Sequence, residues 1–129
     1  MNPLVAEWIE KAEGDFATAL REIRARKNPN YDAACFHSQQ CVEKYFKGIL
    51  QSATIPFGKT HDLCVLLDAC IQMYPLWEAF RLDLEALTEY AVAFRYPGLS
   101  ADRDKAKMAV VMAKRLRKTF RLALNIEEP

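Results

Sequence analysis

Residues 36–47 read FHSQQCVEKYFK, and this stretch places apolar and polar side chains next to each other along one segment. Its apolar residues return at three- and four-residue steps, which is typical of an amphipathic α-helix. The apolar stripe extends beyond the stretch, because Cys35, Val42 and Ile49 follow one another at seven-residue intervals. The pattern therefore predicts a long helix over residues 31–53 with one face in a helical core.

The polar residues of this helix have a spacing of their own. Gln40, Glu43, Lys44 and Lys47 recur at three- and four-residue steps, so a helix aligns them on one face beside the apolar stripe. We interpret them as a hydrogen-bonded ladder along a helix or dimer contact, with the lysines free to meet an anion. Gly48 lies inside the helix, where glycine costs up to about 1 kcal/mol relative to alanine, which indicates that another backbone approaches closely.

The rest of the chain repeats the helical pattern on both sides of this segment. Further helices are predicted over residues 2–27, 60–74, 76–94 and from 100 onward, with fraying from Ile126. Asn2, Thr60 and Ser100 are the predicted N-caps, since such side chains accept hydrogen bonds from first-turn amides. All prolines fall at a terminus or between these segments. We predict one all-α domain over residues 1–129, an up-and-down bundle of four long helices plus one shorter helix.

Composition excludes some classes of protein. The 129 residues are 51% hydrophobic and 27% charged with a net charge of +1, which is ordinary for a globular domain. No stretch approaches the roughly 20 apolar residues of a membrane span, and the first residues do not form a signal peptide. Four cysteines without a C-x-x-C spacing favour reduced, mostly buried thiols in a cytoplasmic protein.

The last helix is unusually basic. Two interpretations stay open for it: a solvated outer face, which we favour, and contact with an anionic partner. Its basic residues are Arg103, Lys105, Lys107, Lys114, Arg115, Arg117, Lys118 and Arg121.

Familiar catalytic and metal-binding spacings are absent. The two histidines are His37 and His61, and neither follows a glutamate by three residues as di-iron bundles require. Neither a nucleophile elbow nor a glycine-rich phosphate loop is present. We therefore expect no metal and no cofactor.

Three polar clusters remain as candidates for chemistry. The first is the ladder, with His37 and Gln39 beside it. The second, at residues 60–63, reads THDL and suits the start of a helix. The third, at residues 94–98, reads FRYPG. Its Arg95 and Tyr96 either satisfy the last carbonyl groups of a helix or present a guanidinium and a phenol to a phosphate or a base.

The order of these clusters resembles the HEPN family. The motifs that carry the resemblance are QQCVEKYFK at residues 39–47, HDL at 61–63 and RYP at 95–97, and the similarity extends from about Trp8 to Leu124. It implies a helical bundle that usually dimerises and is often encoded beside a small nucleotidyltransferase, as in toxin–antitoxin or defence modules. Some such proteins cut RNA, and others are thought only to bind nucleotides or a partner.

One departure from the family concerns catalysis. The resemblance implies that RNA-cutting members carry an arginine followed four to six residues later by histidine. Here no histidine follows Arg95. His37 or His61 can replace it only if folding or dimerisation places one of them beside Arg95.

The favoured hypothesis is therefore a non-catalytic nucleotide- and partner-binding module, a homodimer that works with a small nucleotidyltransferase. The expected nucleotide- or anion-binding residues are Arg95, Tyr96, Lys44, Lys47, Gln40 and His61. The alternatives are a ribonuclease toxin with a displaced histidine and a structural dimerisation module without a ligand.

Overall fold

The computed structural model describes residues 1–126, and every regular element in that range is helical. The elements are α1 (Pro3–Arg24), α2 (Tyr31–Ser52), α3 (Leu63–Cys70), a 3-10 helix (Pro75–Phe80), α4 (Arg81–Ala93) and α5 (Arg103–Ala123). The all-α prediction is confirmed. The predicted fraying from Ile126 onward mainly concerns residues 127–129, which lie outside the described residues.

The fourth segment differs from the prediction of four long helices. α1 and α2 have 22 residues each and α5 has 21, but α4 has only 13, because Pro75–Phe80 form a 3-10 helix. Side chains three residues apart eclipse one another in a 3-10 helix, which places Trp77 and Phe80 on the same side. Trp77 is buried against Phe120, with ring centroids 5.1 Å apart.

Helix α2 lies at the centre of the bundle and contacts α1, α3, α4 and α5. Its apolar stripe is buried as predicted, since Cys35, Val42 and Ile49 are each at most 3% exposed. The core that surrounds α2 is one continuous cluster of side chains from all five α-helices. This central position leaves α2 with little contact with solvent along most of its length.

Two of the three predicted N-caps are wrong. Asn2 caps α1 as predicted, and its Oδ1 accepts a hydrogen bond from the amide of Leu4 at 2.8 Å. Helix α3 is capped by Asp62 and α5 by Asp102, not by Thr60 and Ser100. Each aspartate directly precedes its helix, so its carboxylate reaches a first-turn amide that the residue two positions earlier cannot reach.

The interpretation of α5 as a solvated basic face is wrong for two of its arginines. Arg117 donates two hydrogen bonds to the Glu13 carboxylate on α1, at 2.6 and 2.7 Å, and its guanidinium lies 4.9 Å from the Phe16 ring centroid. Arg121 is 8% exposed and donates to the hydroxyl of Tyr45, which itself donates to Glu13. Burial alone raises the pKa of Glu13, but these hydrogen bonds and charges hold it below its ordinary value.

The four cysteines are free thiols, as predicted. Cys35, Cys41 and Cys70 are fully buried, and Cys64 is partly buried. Burial raises the pKa of the Cys35 thiol to about 11 and that of Cys70 to about 12. Such thiols stay protonated near neutral pH and pack as small apolar groups.

Across residues 1–126 there is no helix with the length and apolar character needed to cross a membrane.

Gly48 marks the tightest contact between α1 and α2. A Cβ at this position would lie 3.0 Å from the Cδ1 of Ile9 and 3.4 Å from the Cβ of Trp8. The close approach was predicted, but side chains of α1 make it rather than another backbone. Gly14, on the exposed side of α1, has no atom within 4 Å of the same position.

We expect Gly48→Leu to lower the free energy of unfolding by about 1–3 kcal/mol, because the added side chain overlaps Ile9 and Trp8. Gly14→Leu is the matched control, and it should raise that free energy by up to about 1 kcal/mol through helix propensity. Urea denaturation followed by circular dichroism measures both. Equal effects of the two substitutions would contradict the close packing at Gly48.

Candidate functional site

The predicted ladder on α2 exists as a buried hydrogen-bonded seam centred on Glu43, which is 3% exposed. We call this group the Glu43 seam. Its other members come from α2 and from the loop before α3, and they are Gln39, Gln40, Lys47 and His61. The seam joins the middle of α2 to the start of α3.

Four side chains surround the carboxylate of Glu43. Its Oε1 lies 3.2 Å from the Gln39 Nε2, 3.4 Å from the Gln40 Nε2 and 2.9 Å from the His61 Nδ1. Its Oε2 accepts a hydrogen bond from the Lys47 Nζ at 3.1 Å. A buried carboxylate is tolerated when it is paired with a cation and accepts several hydrogen bonds, and both conditions hold here.

The two predicted free lysines are both engaged within the chain. Lys47 is 6% exposed, and its Nζ also lies 5.8 Å from the centre of the Trp8 ring. Lys44 is not part of the Glu43 seam, because it faces α1 and donates to the Asp15 Oδ2 at 2.6 Å. Neither lysine is therefore free within the single chain, contrary to the ladder interpretation, and their role in anion binding stays a prediction. Burial and pairing leave Lys47 poorly placed for a ligand.

Gln40 and His61 also take part in the Glu43 seam. Gln40 donates to the Gln39 Oε1 at 2.8 Å, and Gln39 donates to the backbone carbonyl of His61 at 2.9 Å. The side chain of His61 is 75% exposed, so only its Nδ1 edge is tied to the seam. Both are predicted binding residues, and here both side chains contact the Oε1 of Glu43.

A second polar cluster, which we call the Asp15 cluster, consists of Asp15, His37 and Lys44 and joins α1 to α2. Asp15, which is 9% exposed, accepts hydrogen bonds from Lys44 and has the His37 Nδ1 at 2.7 Å from its Oδ1. This contact places a proton on the Nδ1 of His37 and leaves the Nε2 as the nitrogen available to other groups. The side chain of His37 is 29% exposed, so the ring reaches the surface.

Arg95 follows the end of α4 and lines an open hollow of about 330 Å³ at the N-terminal end of α2. We call it the Arg95 hollow. The Arg95 guanidinium lies 5.5 Å from the centre of the Phe36 ring, and the His37 ring lies 5.2 Å from the same centre. The lining residues are Asn30, Asp32, Ala33, Phe36, His37, Phe94 and Arg95.

The Arg95 hollow contains one basic and one acidic side chain, Arg95 and Asp32, and they do not form an ion pair with each other. Arg95 makes no ion pair within residues 1–126. Asp32 is the carboxylate of the lining, and its Oδ1 accepts the amide hydrogen of Ala101 at 2.6 Å. Tyr96 is 63% exposed next to Arg95 but does not line the hollow. The result is an exposed guanidinium held on an aromatic ring beside an imidazole.

The structure therefore divides the predicted site residues into separate groups. Arg95 lies in its hollow with Tyr96 outside it, Gln40, Lys47 and His61 lie in the Glu43 seam, and Lys44 lies in the Asp15 cluster. Sequence reasoning missed Asp15 as a partner, since α1 and α2 carry no pattern that reveals which acid on one helix meets which base on the other. It named His37 only as a conditional substitute, whereas the fold places this histidine in the same hollow as Arg95.

The part of the chain that the structure describes contains no group of three histidine, cysteine, aspartate or glutamate side chains able to hold a metal ion.

We expect Glu43→Ala to lower the free energy of unfolding by about 3–5 kcal/mol, because it leaves the buried cation of Lys47 without its counter-charge. Glu10→Ala removes an exposed acid of α1 and should change stability by less than about 0.5 kcal/mol. Both values come from urea denaturation. A loss below about 1 kcal/mol for Glu43→Ala would show that the Glu43 seam contributes little to the fold.

Comparison with known proteins gives one match. No curated protein and no solved structure matches the chain. The family model of the HEPN domain matches residues 5–123, which is nearly the whole chain and includes the Glu43 seam, the Asp15 cluster and Arg95. The chain belongs to the HEPN domain family.

Proposed function

We propose that this HEPN chain is a nucleotide- and partner-binding module that holds a phosphate group in the Arg95 hollow. The observation that carries the proposal is an exposed guanidinium without a carboxylate partner in the described residues, fixed over the ring of Phe36. An arginine fork matches the geometry of phosphate oxygens and can donate to two of them at once. Structural arginines of this chain, such as Arg117, are instead paired with acids.

Other groups around the Arg95 hollow favour the same ligand. The hollow opens at the start of the 22-residue helix α2, and Asn30 and Ala33 belong to that end. The amide of Ala33 is already bonded to the Oδ1 of Asn30, so it is the dipole of the helix that attracts an anion at this end. Tyr96 is exposed beside Arg95 and can stack on a base. Lys44 and Lys47 have no part in this revised site, because both are paired elsewhere.

The proposed partners follow from the family rather than from a contact in the single chain. We place the module as a homodimer that acts with a small nucleotidyltransferase, in a toxin–antitoxin or defence setting. Membership of the HEPN family supports this, because the resemblance of the motifs implies such a pairing. Nucleotide is a substrate or product of a nucleotidyltransferase, so a nucleotide site on its partner fits the same chemistry.

We expect Arg95→Ala to weaken nucleotide binding by more than about tenfold, because it removes charge-assisted hydrogen bonds to phosphate. Isothermal titration of the purified protein with ATP, GTP and their monophosphates measures the effect. Lys11→Ala, which removes an exposed cation of α1, is the control and should leave the affinity unchanged. Affinity equal to that of the parent in Arg95→Ala protein would refute the assignment.

A second candidate function is RNA cleavage, and the position of His37 favours it. The sequence alone lacks a histidine after Arg95, yet His37 lines the same hollow and is oriented by Asp15. His37 would accept the proton of a ribose 2′-hydroxyl, whose oxygen then bonds to phosphorus as the bond from phosphorus to the 5′-oxygen breaks. Arg95 would stabilise the phosphate charge, and a water molecule would give a proton to the leaving 5′-oxygen and take up the proton that His37 holds.

This candidate requires cleavage of total RNA by the purified protein, with loss of at least about a hundredfold in His37→Ala protein. Arg95→Ala should cause a similar loss. His61→Ala is the matched control and should retain activity, because His61 belongs to the Glu43 seam. RNA that stays intact with the parent protein, or cleavage that survives in His37→Ala protein, would eliminate this candidate and leave the binding module.

A further inference from the structure

We propose that the Arg95 hollow is selective for guanine nucleotides, and that Asp32 at the start of α2 is the residue that sets this selectivity. The inference rests on the proposed function, because it names the nucleotide whose phosphate Arg95 holds. Asn30 and Asp32 would contact the edge of the base, and Arg95 would contact the phosphate. All three residues line the same hollow, which has a volume of about 330 Å³.

The carboxylate of Asp32 has capacity for a ligand. Its Oδ1 accepts the amide hydrogen of Ala101 at 2.6 Å, which ties the segment after Arg95 to α2. Its Oδ2 takes part in no hydrogen bond or ion pair within residues 1–126. An ionised carboxylate only accepts hydrogen bonds, and its two oxygens have room for about four of them. Asp32 therefore keeps acceptor capacity that its own chain does not use.

Asn30 supplies a hydrogen-bond donor next to this acceptor. It is the N-cap of α2, and its Oδ1 accepts a hydrogen bond from the amide of Ala33 at 2.9 Å. The Oδ1 is therefore turned toward the helix, and the Nδ2 group has no partner within residues 1–126. The start of α2 thus offers the hollow an amide donor and a carboxylate acceptor on residues that are close along the chain.

Guanine is the base that matches a carboxylate with an amide donor beside it. Its Watson–Crick edge carries two neighbouring donors, N1–H and the 2-amino group, next to the O6 acceptor. A carboxylate can accept from both donors at once, and an amide N–H can donate to the O6. Adenine instead places the lone pair of N1 beside its amino group, and a carboxylate repels that lone pair. A site built to hydrogen-bond one base rejects another that leaves the same groups unpaired.

The charges of the hollow decide which part of the nucleotide meets which residue. The dipole of α2 attracts an anion to the hollow, but a phosphate directly beside Asp32 would meet a charge of the same sign, so Asp32 suits the uncharged base. Arg95 lies over the ring of Phe36, which is about one helical turn and about 6 Å further along α2 than Asp32. A nucleoside monophosphate can reach from one residue to the other, because its ribose separates the base from the phosphate.

A series of nucleotides tests the assignment. Isothermal titration of the purified protein should give an affinity for GMP at least about tenfold above that for AMP, CMP, UMP and ribose 5-phosphate. Asp32→Asn keeps an oxygen for the amide of Ala101 but replaces the second acceptor by an amino donor. This variant should lose the preference for GMP. It should also bind XMP, whose base has a carbonyl oxygen in place of the 2-amino group, at least about fivefold more tightly than the parent does.

The control variants separate recognition of the base from the fold and from the phosphate site. Asp104→Asn changes the acid in the first turn of α5, as Asp32→Asn does in α2, and should leave the preference for GMP unchanged. Asn30→Asp keeps an oxygen to cap α2 but removes the amide donor, so it should weaken GMP binding at least about fivefold relative to ribose 5-phosphate. Circular dichroism verifies that each variant is folded.

The possible outcomes distinguish this inference from the proposed function. Equal affinity of the parent protein for all the ligands, or a preference for another base, would overturn the guanine assignment and leave the phosphate site at Arg95 standing. A preference for GMP that survives in Asp32→Asn protein, or the absence of a gain in XMP affinity, would overturn the role of Asp32. A parent protein that binds none of the ligands would refute both proposals together.

Discussion

The burial of helix α2 on nearly all sides is the constraint from which the arrangement of polar groups follows. A polar side chain in such a helix must find its partner inside the protein, because water does not reach it. Three carboxylates meet that requirement. Glu13 accepts a hydrogen bond from the hydroxyl of Tyr45, and Asp15 is hydrogen-bonded to His37 and Lys44. Glu43 accepts hydrogen bonds from the two glutamines and from Lys47. The polar face of α2 is therefore part of how the bundle is assembled.

This arrangement limits where a ligand can be recognised. Groups committed to the three carboxylates would have to break hydrogen bonds in a region of low dielectric constant before they could bind anything else. The Arg95 hollow differs because it lies at the exposed N-terminal end of α2, where the burial of the helix ends. Its arginine lies over an aromatic ring and forms no ion pair with an acid of the described chain. The groups at the start of α2 can therefore meet a ligand without first breaking an ion pair, whereas those in its middle hold the helices together.

Much of the fold could be predicted from local pattern, and the contacts between distant residues could not. The helical spacing of apolar residues correctly gave α1, α2 and α5, and it gave the ladder because Gln40, Glu43 and Lys47 belong to one helix. The Asp15–His37 pair spans 22 residues and the Glu13–Arg117 pair spans 104, and no single periodic segment contains both members of either pair. The 3-10 helix depends on packing, and the aspartate caps lie two residues after the predicted ones, a difference that propensity does not resolve.

The position of His37 shows why a missing sequence motif is weak evidence about chemistry. A catalytic or binding group works through its distance and orientation, and unrelated proteins place the same groups in different chain orders. In this chain the histidine near Arg95 comes from the first half of α2, and the acid that orients it comes from α1. The start of α2 and the end of α4 line the Arg95 hollow, and α1 is connected to it through the contact between Asp15 and His37, so the fold links three residues that are far apart along the chain. The chemistry of this HEPN chain therefore has to be judged at the hollow, where an imidazole and a guanidinium share one aromatic ring.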